Sequence, residues 1–110
     1  MLTLHVLDVT RGVPAAGVGY TLARLDGREA ERLAEATTDA DGRSGGSVPG
    51  AGDLPPGTYE LTFAVGRYFG TEAPRYVDEV PIRFGVGAAD GHVHVALLVT
   101  PWSYTTYRGS

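Results

Sequence analysis

The chain has 110 residues, enough for one core and too few for two, so residues 1–110 are expected to form a single domain. It is 43% hydrophobic and 20% charged, has no cysteine, and carries a formal charge of −4 with nine basic residues, all Arg. That balance excludes disulfides, thiolate metal sites and cysteine nucleophiles. It also argues against a nucleic-acid partner, since no basic block is present, and against a membrane span, since no apolar run approaches the required length.

Sixteen glycines and seven prolines punctuate short apolar stretches, which is an all-β pattern. Residues 2–9 alternate, with Leu2, Leu4 and Val6 on one face and Thr3, His5, Leu7 and Val9 on the other, and read as the first strand. Residues 11–17 read as a loop. Residues 18–25 read as a second strand that ends at the Asp26-Gly27 turn. Residues 28–38 contain good helix formers but lie between two Asp-Gly turns in a β-rich chain, and a strand is expected there. Residues 44–57 read as loop with room for one short strand. Residues 59–65 alternate with Tyr59, Leu61, Phe63 and Val65 on one face. Thr71, followed by acidic Glu72, suits the N-cap of one helical turn over 71–76. Val80, Ile82, Phe84 and Val86 again recur with period two, and residues 92–99 and 102–107 form a closing pair across Pro101. Seven or eight short strands with at most one helix predict a two-sheet antiparallel sandwich of Greek-key type.

The histidines are His5, His92 and His94. His92 and His94, two apart on a strand, share a face. Three readings follow. The two can chelate a metal, with His5 as a third nitrogen; they can work as acid and base around a bound water; or they are ordinary half-buried strand residues. Arg43, after the second Asp-Gly turn, is either a surface residue or a fixed planar cation able to hold a carbonyl or anionic oxygen through two hydrogen bonds. The Asp39-Ala40-Asp41-Gly42 run lacks the remaining calcium ligands of an EF-hand and reads as a tight turn. The last nine residues, from Trp102 to Ser110, keep a dense polar-aromatic pattern to the chain end, where Tyr and Arg are favoured interface anchors.

Three segments then converge. Leu4-His5-Val6-Leu7-Asp8 with Gly12-Val13-Pro14-Ala15, Thr38-Asp39-Ala40-Asp41-Gly42-Arg43, and the run from His92 through Pro101 into the terminal Tyr107-Arg108-Gly109-Ser110 together resemble the 5-hydroxyisourate hydrolases, or transthyretin-related proteins, over the whole chain. The resemblance implies a transthyretin-like sandwich assembled as a homotetramer, a dimer of dimers, with its active sites in the cleft between dimers. It implies hydrolytic opening of 5-hydroxyisourate in urate degradation, with no metal or organic cofactor. The family's catalytic positions fall on His5, Arg43, His94 and Ser110, and Tyr107, Arg108 and Gly109 complete the tail that shapes the substrate cleft. The chain departs from the family at Ala96, where Pro is usual, and at Trp102-Ser103, where Tyr-Gly is frequent. Two other readings share the fold. One is a small-molecule carrier like transthyretin itself, and the other is a structural sandwich module. With no basic or apolar leader at its N-terminus, the chain is expected in the cytoplasm.

Overall fold

The structure, a computed structural model, describes residues 1–110 except Arg28, Gly50, Ala51, Thr71 and Ala73. Its elements in chain order are β1 (Leu2–Asp8), β2 (Val13–Pro14), β3 (Gly19–Arg24), β4 (Glu31–Thr37), β5 (Gly57–Ala64), α1 (Val65–Phe69), β6 (Glu79–Val86), β7 (Val93–Val99) and β8 (Tyr104–Gly109). They form two four-stranded sheets, β2-β1-β7-β8 and β4-β3-β5-β6. Every named pairing is antiparallel except that of β1 with β7, which is parallel. The sandwich is the transthyretin-like one expected.

The period-two stretches supply the core. Leu2, Leu4 and Val6 from β1, Leu22 from β3, Tyr59, Leu61 and Phe63 from β5, Val80 from β6 and Leu97 and Val99 from β7 are all buried between the sheets. Each contributes roughly 1.5–3 kcal/mol on removal from water. The other face of β1 and β7 is thereby left free to carry polar side chains.

Three local expectations need correction. The loop over 11–17 contains the two-residue strand β2, paired with Leu7 and Asp8. The second closing strand begins later than expected, at Tyr104, and runs to Gly109. The helical turn expected over 71–76 is not where the helix lies. Thr71 and Ala73 fall outside the described residues, and the described helix is Val65–Phe69, on the other side of Gly70. Tertiary bonds hold it there: the Gly66 N–H donates to the Asp78 carbonyl at 2.9 Å, and the Tyr68 hydroxyl donates to the fully buried Asp8 side chain at 2.9 Å. Asp8 also accepts from the Arg11 N–H at 3.1 Å, so the exit of β1 and the helix are tied at one point.

Candidate active site

The outer face of the first sheet carries the chemistry. Parallel pairing of β1 with β7 sets Thr3 opposite His94 and His5 opposite Ala96, while β8 sets Gly109 opposite His94. One hydroxyl, one imidazole from each of two strands and the chain end are therefore brought to one place by register alone.

Arg43 arrives from the turn after β4. The Asp39 carboxylate accepts hydrogen bonds from the N–H of Asp41 at 2.9 Å and of Arg43 at 3.0 Å. The Asp39 N–H donates to the Arg43 carbonyl at 2.8 Å. Between them Gly42 has φ +74°, and a Cβ there would collide with the Val6 carbonyl oxygen, so only glycine fits. The Val6 N–H donates to the Gly42 carbonyl at 2.8 Å, and Arg43 forms an isolated antiparallel bridge with His5. The turn thus docks on β1 and delivers Arg43 beside His5. Among the described residues the Arg43 guanidinium makes no hydrogen bond and no ion pair.

His5 Nε2 lies 2.9 Å from the Asp41 carbonyl. A carbonyl only accepts, so Nε2 carries a proton, and in the neutral form of the ring the lone pair is on Nδ1. Thr3 Oγ1 lies 2.7 Å from His94 Nδ1 and 2.8 Å from His92 Nε2. His94 is half-buried, His92 exposed. Burial pushes the His94 imidazole below its ordinary pKa, and the charges of Arg43, His92 and His5 push the same way. It is therefore neutral, and basic, near neutral pH.

These groups line one cleft of about 560 Å³, with Thr3, His5, Arg43, His92, His94, Tyr107, Gly109 and Ser110 in its wall. His5, Arg43, His94 and Ser110, the four residues expected to act, are all there. Of the tail residues, Tyr107 and Gly109 line the cleft and Arg108 does not. The Arg108 guanidinium instead donates to Asp90 and to the His92 carbonyl, each at 3.2 Å, and anchors the loop before β7. Thr3 was not singled out from the sequence, and Asp39 was read only as the start of a tight turn, which it is. The alternation around Thr3 gave no sign of partners that only strand pairing creates. Among the described residues no group of three or more His, Asp or Glu side chains stands close enough to hold a metal ion, and no helix is long and apolar enough to cross a membrane.

A transthyretin-like sandwich whose cleft presents three imidazoles and one guanidinium has the polar lining of a hydrolase rather than that of an apolar carrier channel. The chain belongs to the HIUase/Transthyretin family, whose model matches residues 2–109. It is 50% identical over 113 residues to the 5-hydroxyisourate hydrolase of Deinococcus radiodurans, covering 99% of this chain and 95% of that one. The solved 5-hydroxyisourate hydrolase of Klebsiella pneumoniae superposes with TM-score 0.84 at 35% identity, covering 99% and 98% of the two chains. A solved (S)-allantoin synthase is similar at TM-score 0.87 and 43% identity, and this chain spans 43% of its length.

Proposed function

We propose that the protein hydrolyses 5-hydroxyisourate to 2-oxo-4-hydroxy-4-carboxy-5-ureidoimidazoline, by attack of water on a ring lactam carbonyl. The observation that carries this reading is the meeting of His5, Arg43, His94 and Ser110, from four separate segments, in one cleft. Water adds to the carbonyl carbon and the C–N bond breaks. One proton goes to the leaving nitrogen, and a second is released as the new carboxylic acid ionises. His94, held neutral, accepts the proton of the attacking water at Nε2, which makes no hydrogen bond among the described residues. Arg43, its guanidinium unengaged, binds the oxygen on which charge develops. Such preorganised charge contributes about 10² to 10³ in rate, and general-base catalysis about 10² to 10⁴. His5, fixed through Nε2, presents Nδ1 as an acceptor that orients the water. The Ser110 carboxylate accepts from substrate N–H groups at the mouth of the cleft.

Assembly as a dimer of dimers is part of the proposal. It is supported by β6 and β8, which both end their sheets with unpaired edges, and by exposed Trp102, Tyr104 and Tyr107 along and beside β8. Sedimentation should give a particle of four chains of 11.6 kDa, and a monomer would refute the assembly. Cytoplasmic location belongs to the same proposal and is tested by cell fractionation.

The reaction is tested in ¹⁸O-labelled water. The label should enter the carboxylate of the product at a rate proportional to protein concentration. Product formation that does not respond to the protein would reject the reading.

A further inference from the structure

Thr3 and His92 have no part in the chemistry described so far, yet one hydroxyl sits at hydrogen-bond distance from a nitrogen of each of two imidazoles. Thr3 Oγ1 is 2.7 Å from His94 Nδ1 and 2.8 Å from His92 Nε2. A hydroxyl has one proton to give. With both rings neutral and the hydroxyl bonded to each, it accepts from one ring and donates to the other. The two tautomers are therefore locked together. If His94 Nδ1–H donates to Thr3, then Thr3 donates to His92 Nε2, and His94 Nε2 is left as a lone pair facing the cleft. If His92 Nε2–H donates, the order reverses and His94 carries its proton on Nε2.

We propose that Thr3 and His92 form a proton relay that lets His94 act as base and then as acid by exchanging tautomers instead of becoming a cation. This rests on the hydrolase reading above. In the first step the water proton passes to His94 Nε2, the Nδ1 proton passes to Thr3 Oγ1, and the Thr3 proton passes to His92 Nε2. The exposed His92 ring then releases its Nδ1 proton to solvent. In the second step His94 Nε2–H protonates the leaving nitrogen, the two relay protons move back, and His92 takes a proton from solvent. Both rings end as they began, and the one net proton released is that of the ionising product acid.

The surroundings give this route its advantage. A cationic His94 would sit half-buried beside the Arg43 guanidinium, and burial together with that charge already holds its pKa down. Among the described residues no Asp or Glu side chain lines the cleft to offset such a charge. His92 is at the open end and exposed. Its backbone is held by the Arg108 guanidinium, which donates to the His92 carbonyl at 3.2 Å. Arg108 is thus a positioning residue for the outer end of the relay. The rings of His92 and His94 are 6.4 Å apart between centroids, too far for direct transfer and suited to one bridging atom.

The test combines ¹⁵N NMR of the free protein with kinetics on Thr3→Val, Thr3→Ser and His92→Ala. Thr3→Val keeps the shape and removes the hydroxyl, Thr3→Ser keeps the hydroxyl, and His92→Ala alters an exposed residue. In the wild type and in Thr3→Ser, His94 should carry its proton on Nδ1. In Thr3→Val it should revert to the Nε2–H form. Thr3→Val and His92→Ala should each lower kcat by at least about tenfold, with KM little changed and Thr3→Ser close to wild type. A proton inventory in mixed H₂O and D₂O should be curved for the wild type and linear for Thr3→Val. An unchanged His94 tautomer in Thr3→Val overturns the relay, as does an unchanged kcat. If the wild type hydrolyses nothing, the functional reading fails, while the NMR comparison still decides whether the hydroxyl couples the two rings.

Discussion

Gly109 lies directly against His94: a Cβ at position 109 would overlap Cδ2 of the imidazole. Opposite each other on β7 and β8, the two residues leave room for the ring only because the tail residue has no side chain. The terminal motif thus shapes the site through what it omits. Gly109→Ala should displace the ring and lower kcat/KM by at least about tenfold, since misplacement of a catalytic group by about 1 Å can cost about 10² in rate. Thermal unfolding should move little, as the site is at the surface. Full activity in Gly109→Ala would show that the ring position is not critical.

Arg43 is presented by a turn held by backbone bonds, by the Asp39 carboxylate and by the His5 imidazole on the Asp41 carbonyl, none of which uses the Arg43 side chain, so that side chain can be changed without loosening the fold. Arg43→Ala should lose about 10² to 10³ in kcat/KM. Arg43→Lys should recover only part of this, because a point charge does not replace the planar two-donor fork. Equal rates for Lys and Arg would mean that charge alone acts there.

The lowered pKa of His94, caused first by burial and then by Arg43, His92 and His5, has two consequences. The base form survives as pH falls, so the acid limb of kcat/KM should lie below the ordinary imidazole value of 6.5. The unfolded chain binds this proton more readily than the folded one. His94 therefore carries no penalty above about 6.5, and an increasing one as pH falls from there to its folded pKa. His94→Gln should flatten that part of the stability profile in urea titrations. An acid limb at or above the ordinary value would contradict the assigned shift.

The Asp8 cluster is a stability device distant in role from the cleft. Tyr68→Phe removes a hydrogen bond to a fully buried acidic side chain and should cost about 2 kcal/mol in urea unfolding, with kcat unchanged. A neutral substitution would mean that the bond is replaced by another partner.

Much of this was legible in the sequence where one face of a strand is buried. The alternation of Leu2, Leu4 and Val6, and of Tyr59, Leu61 and Phe63, is the direct trace of a sandwich core. β4 was legible only from its flanking turns, since its residues favour helix. The helix Val65–Phe69 was not, because Val, Gly, Tyr and Phe are poor helix formers and the turn is imposed by Asp78 and Asp8. His5, Arg43, His94 and Ser110 were found through the family's motifs. Thr3 was missed because its significance comes from the parallel register that sets it against His94, and period two reports a face but never a partner. Arg108 was expected in the cleft and instead pairs with Asp90, a contact between loop and strand that no local pattern encodes.

The chain end offers a further test. Ser110 lines the cleft, so adding residues beyond it should strongly reduce turnover while circular dichroism and the unfolding midpoint stay the same. An extended protein with full activity would remove the terminal carboxylate from the site.

The most direct measurement is the ultraviolet decay of 5-hydroxyisourate generated in place by urate oxidase, with and without the protein, and with His94→Ala beside the wild type. The wild type should accelerate the decay in proportion to its concentration, and His94→Ala should lose at least about tenfold of that acceleration. Decay at the spontaneous rate in the presence of folded wild-type protein would contradict the proposed hydrolysis, and equal acceleration by His94→Ala would contradict the base assigned to it.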